Sequence, residues 1–139
     1  MNAVMKSGVL FKKGSGMGFF HRRNWKPRYF ELTMNALNYY DEQGGKLKGK
    51  VVLHNLVAQD IEIMPCDGVK TGKSASTNWR ICINLPSRRF FVAAATEHEM
   101  YQWIQALVYV VNTNHKHENH NGAILHSLRS IEHPIAGAY

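Results

Sequence analysis

The sequence predicts a mainly β domain: seven short strands in a partly open barrel or sandwich, capped by one C-terminal α-helix. Two patterns predict it. Short runs of alternating apolar and polar residues recur between turn signals rich in Gly, Pro and Asn. Near the C-terminus one run changes to spacings of three and four, as a helix requires. Composition agrees, since 139 residues with 45% hydrophobic and 11% aromatic content suit one packed domain.

Residues 8–13 (GVLFKK) predict the first strand, ended by the run Gly14, Ser15, Gly16, Met17, Gly18. Residues 25–33 (WKPRYFELT) alternate with a period of two and predict the second. Pro27 lacks an N–H, so it belongs where no ladder bond is needed, at a strand start or an edge. After a turn at Met34 and Asn35, residues 36–41 predict a third strand and 48–54 a fourth. Further β pieces fall at 59–64, 78–84 and 88–94. The polar segment 65–77 is a loop, and Leu85, Pro86 and Ser87 form a tight turn.

Thr96 with Glu99 three residues on makes a capping box. Behind it Met100, Trp103, Ile104, Leu107, Val108 and Val111 mark one apolar stripe, which predicts a helix of about four turns closing near Asn112. The stripe needs a partner, and an open barrel end is the natural one. The expected domain is therefore residues 1–112, with its core at 6–111, and 113–139 form a tail with a short helix at 122–131.

No stretch approaches the roughly 18 apolar residues that span a bilayer. Position 2 is Asn2 and the last residues hold no prenylation cysteine, so a covalent lipid anchor is not expected. Two cysteines, Cys66 and Cys82, make no disulfide framework, and a cytoplasmic, reducing location is expected. His115, His117 and His120 lie in a polar run with no supporting ligand, so no metal is expected. No nucleophile or acid–base motif appears, which points away from an enzyme, and no cofactor is expected.

The charge is one-sided. Residues 1–50 hold ten basic and three acidic residues and carry the entire net charge of +7, while residues 51–139 sum to zero. Such a field favours an anionic partner: a lipid headgroup, a membrane surface, a nucleic acid or an acidic protein.

One set of residues resembles a known family. Gly8, Leu10 and Lys12, a glycine-rich loop, then Trp25, Lys26, Arg28, Tyr29, Phe30 and Leu32 resemble the opening of a pleckstrin homology (PH) domain. Trp103 in the last helix is similar to the most typical residue of that family. The resemblance spans residues 6–111, so the chain holds little beyond that domain and its tail. It implies a PH-like barrel and a phosphoinositide partner.

Several cations must converge to hold an inositol phosphate. Lys26 and Arg28 share a strand face, beside Lys12 on the neighbouring strand. Arg28 can fork onto a phosphate, which Lys cannot. Lys12 and Lys13, then Lys26 and Arg28, resemble the pattern of members that bind 3-phosphorylated inositides, and Tyr39 and Lys48 occupy positions that commonly add contacts. Lys13, Gly16, Arg22, Arg23 and Lys46 are supporting residues, and Lys70 and Lys73 are further candidates. The fifth to seventh strands otherwise show no headgroup contact.

Phe19 and Phe20 are candidates for membrane insertion, with packing under their loop as the competing role. Burying one Phe fully is worth roughly 1.5–3 kcal/mol, and each basic residue near an anionic leaflet adds about 1 kcal/mol. Together these terms predict reversible, peripheral membrane recruitment by a monomer. The alternative is a protein-interaction adaptor with weak or nonspecific binding to lipids such as phosphatidic acid or phosphatidylserine. Its partner would sit on the tail or on the apolar face near Val108–Val111. Specific nucleic-acid binding is not expected, although Trp25 or Phe19 offers a stacking surface.

Overall fold

A computed structural model describes residues 3–14, 25–68 and 76–132, with side chains through residue 122. Seven strands form one antiparallel sheet in the order β4-β3-β2-β1-β7-β6-β5. They are β1 (Lys6–Lys13), β2 (Trp25–Leu32), β3 (Ala36–Tyr40), β4 (Leu47–Val52), β5 (Ile61–Ile63), β6 (Trp79–Asn84) and β7 (Arg89–Ala94). A 3-10 turn at Ala58–Asp60 takes the first part of the piece expected as the fifth strand.

The β1–β7 seam joins the β1–β4 half of the sheet to the β5–β7 half, and that seam is narrow. All eight residues of β1 pair with β2, but only Phe11 and Lys12 pair with β7, opposite Ala93 and Val92. Pro27 lies beyond the last β2–β3 pair, Tyr29↔Tyr40, so β2 has a neighbour on one side only there. That is the local edge its missing N–H requires.

The core is built from alternate residues of each strand. Leu10, Phe30, Leu32, Leu37, Val51, Ile81, Ile83 and Val92 are fully buried. The helix α1 (Glu97–Glu132) closes one end with Met100, Trp103, Leu107, Val110 and Val111. Its start is capped as expected, since the Glu99 N–H donates to Thr96 Oγ1 at 3.1 Å. Val110 and Val111 are fully buried, so the apolar face near Val108–Val111 is core and not a free docking surface.

The helix does not close near Asn112. It continues to Glu132, through the segment read as a tail with a separate short helix. No proline interrupts this stretch, and its one glycine, Gly122, costs only about 1 kcal/mol relative to Ala. Two contacts fasten the first turns of the extension to the barrel. Asn114 Nδ2 donates to the Met34 carbonyl at 2.8 Å, and Glu118 lies 3.7 Å from His54 Nδ1. Among the described residues no helix is long and apolar enough to cross a membrane, and no cluster of His, Cys, Asp or Glu is arranged for a metal.

Candidate functional site

Side chains alternate across a strand, so each core column can be followed to its end. On β2 the inward column runs Leu32, Phe30, Arg28, Lys26, from fully buried through half-buried to exposed. On β1 it runs from Leu10 to Lys12, which stands opposite Lys26. On β7 it runs from Val92 to Phe90 and then reaches Arg88, just before the strand. Three adjacent columns therefore leave the core at the same end, and each ends in a cation.

An aromatic floor lies beneath them. The Tyr39 ring is 5.5 Å from Phe30 and 5.7 Å from Phe90, bridging the two halves of the barrel. Lys12 Nζ sits 5.2 Å above the Tyr39 ring and 5.5 Å above Phe90, and the Arg88 guanidinium is 5.3 Å from Phe90. The ring faces attract both cations, Lys12 half-buried and Arg88 exposed. Burial, then the positive charges of Arg88 and Arg28, push the Lys12 ammonium below its ordinary pKa. A cation in that state is short of a counter-charge.

Tyr39 is 8% exposed, so it forms the floor rather than the rim. Its hydroxyl lies against Gly49, which faces it across β3 and β4. A Cβ at position 49 would overlap the phenol, so only glycine lets the ring lie flat there.

The remaining expected residues are placed differently. Lys48 stands at the far rim, with Nζ 3.4 Å from the Asp41 carboxylate. Lys46 is exposed in the β3–β4 hairpin, and its carbonyl accepts from the Asp41 N–H. Lys13 points to the outer face, with Nζ 4.9 Å from the Phe91 ring, and does not join Lys12. Gly16, Phe19, Phe20, Arg22, Arg23, Lys70 and Lys73 lie outside the described residues. Trp25 is buried, which removes it as a stacking surface.

A cleft of about 360 Å³ crosses the β1–β7 seam, with Lys12 and Arg88 on its core side and Lys13 and Arg89 on its outer side. The two arginines have different work. Arg89 is engaged with Glu62 and Asp67, the latter at 2.7 Å, and these hydrogen bonds hold both carboxyls below their usual pKa. Arg80 of β6 donates to the carbonyls of Pro65 and Asp67 at 2.5 and 2.7 Å. Together the two arginines pin residues 65–67 onto the outer face of the sheet. Among the described residues Arg88 makes no such ion pair, and it faces the cluster around Lys12.

Arg88 is the residue that the sequence reading missed, because no contact was expected from the last three strands. Two adjacent arginines after the Leu85–Ser87 turn were the available signal. Cys82 is fully buried, and burial pushes its thiol up to about 11, which suits an unreactive core residue.

The PH domain family profile matches residues 4–112. The chain belongs to the PH domain family. Rat pleckstrin is 33% identical over 107 residues, covering 75% of this chain, and the chain corresponds to 28% of that relative's length. The C-terminal PH domain of human pleckstrin aligns with a TM-score of 0.62 at 28% identity, over 81% of this chain and 92% of that one. A crystal structure of the pleckstrin C-terminal PH domain in complex with D-myo-Ins(1,2,3,5,6)P5 aligns at 0.57 with 25% identity, over 80% and 98% of the two chains. The seven strands and the closing helix are thus those of a PH domain, and the cationic cluster lies at the Lys12 end of β1, away from the Lys6–Gly8 end against which Trp103 of the helix packs.

Proposed function

We propose that this PH domain binds phosphoinositide headgroups and recruits itself, or a protein that contains it, reversibly to anionic membranes. One observation carries the reading: Lys12, Lys26, Arg28 and Arg88 converge at one barrel end over the floor of Phe30, Tyr39 and Phe90. Several cations within one small cluster suit a ligand with several phosphates on one ring, and an isolated charge would not select it. Arg28 supplies the planar fork and Lys12 a desolvated point charge. The inositol pentakisphosphate complex of the pleckstrin C-terminal domain supports the same ligand class. The pattern Lys12, Lys26, Arg28 supports a preference for 3-phosphorylated headgroups.

Co-sedimentation with vesicles tests it. Neutral lipid, phosphatidylserine, phosphatidic acid and each phosphoinositide are compared at physiological salt, with Arg28→Cys alongside. Selective binding to one or two phosphoinositides, lost in a variant that still melts cooperatively, is the expected result. Equal binding to all anionic lipids would leave charge-driven surface association instead. Binding retained by a well-folded Arg28→Cys protein would remove the site.

A further inference from the structure

The far rim of the cluster holds an acid among the bases. Asp41 ends the β3 side of the hairpin, and its carboxylate is 3.4 Å from Lys48 Nζ, with both side chains 42% exposed. Asp41 also shares a wall with Arg28. The two line one cleft of about 250 Å³, together with Pro27, Tyr29 and a second acid, Glu42. The carboxylate is therefore placed on the flank between two of the cations expected to grip the ligand.

We infer that Asp41 is a specificity-determining residue of this site. In the empty domain its carboxylate occupies Lys48. Against a bound headgroup it bars a phosphate from the flank between Arg28 and Lys48. This inference rests on the headgroup reading above and refines it.

The physical case has three steps. A phosphate that approaches Lys48 from this flank must first break the Asp41 ion pair. It then stands beside an anion, and like charges at such range repel through partly excluded water. Among the described residues the cations on the opposite flank, Lys12 and Arg88, have no acid beside them, so they take phosphates without that cost. The arrangement admits headgroups whose phosphates cluster toward Lys12 and Arg88, and it penalises one more phosphate on the Lys48 side.

The test compares Asp41→Asn with Glu97→Gln, an exposed acid at the start of α1 that makes the same change in net charge away from this cleft. Vesicles carrying a bisphosphorylated or a trisphosphorylated phosphoinositide are titrated at physiological salt. Asp41→Asn is expected to tighten binding about twofold to fivefold, the range for exposed charge contacts. The gain should be larger for the trisphosphate, and smaller when Lys48→Ala is added. Glu97→Gln should change affinity less than about 1.5-fold, because a distant exposed charge is screened.

Weaker or unchanged binding by a folded Asp41→Asn protein overturns the inference. So does an equal gain from Glu97→Gln, which would make the effect one of net charge. If the unmodified protein binds no headgroup, the headgroup reading falls and this one with it. Binding by the unmodified protein with an inert Asp41→Asn sinks this one alone.

Discussion

The ammonium of Lys12 lies 5.2 Å above the ring of Tyr39, at the point where the apolar column of β1 leaves the core. The folded state holds this charge against burial and against Arg88 and Arg28, so its pKa is lowered. The sign follows directly. A base whose folded pKa is below its unfolded value costs stability while it is charged, and the cost fades as pH rises through the lysine range. Lys12→Met should therefore lose headgroup binding while its melting temperature rises by a few degrees, a scale of about 1 kcal/mol. Thermal melts from pH 7 to 10 check this, and the gap between the two proteins should narrow toward pH 10. A lower melting temperature at pH 7 would mean that the aromatic floor compensates the charge fully.

Arg88 is exposed, and its substitution should leave the fold intact. One charge-assisted hydrogen bond is worth about 1.5–3 kcal/mol. Arg88→Ala should thus weaken headgroup binding by roughly 10- to 100-fold, measured by vesicle titration. An unchanged affinity would confine the site to β1, β2 and β4.

Gly49 and Tyr39 should behave as a coupled pair. Gly49→Ala drives a methyl group into the phenol, and overpacking of this kind costs about 1–3 kcal/mol. In a Tyr39→Leu background the ring is gone, and the same step should be close to neutral. A denaturation double-mutant cycle reads the coupling, and additive losses would place the strain elsewhere.

The outer face offers a pH signature. Arg89 holds the Glu62 and Asp67 carboxyls below their usual pKa. Acids with a lowered folded pKa add stability above the unfolded value, and that stability is lost as pH falls through the folded one. The melting temperature should therefore drop below about pH 4. Arg89→Met, which removes the partner, should show a shallower drop. Parallel curves for the two proteins would show that the ion pairs are silent.

Much of this fold was legible because strand and helix signals are local. The alternation of Trp25 to Leu32 puts Lys26 and Arg28 on one face, and the register sets Lys12 opposite Lys26. The spacing from Met100 to Val111 marks the buried stripe of α1. What escaped was nonlocal. Arg88 joins Lys12 only because β7 closes on β1, and no short-range pattern announces that pairing. The same alternation that aims Lys12 inward turns Lys13 outward, so two adjacent lysines part company. The helix end was misjudged for another reason. A polar run reads as a stop, but a helix stops when its backbone is interrupted, and residues 112–121 contain neither Pro nor Gly.

The narrow β1–β7 seam gives the cluster a second significance. Only two residue pairs close the sheet there, one of them Lys12↔Val92, and the cations on either side repel each other. An anion spanning Lys12 and Arg88 would act as a clasp, offsetting that repulsion and tying the two strands together from above. Occupancy and closure of the seam would then be linked, each favouring the other. Amide exchange at Phe11 and Lys12 would report occupancy of the site directly, because protection there rises only as far as the clasp is closed.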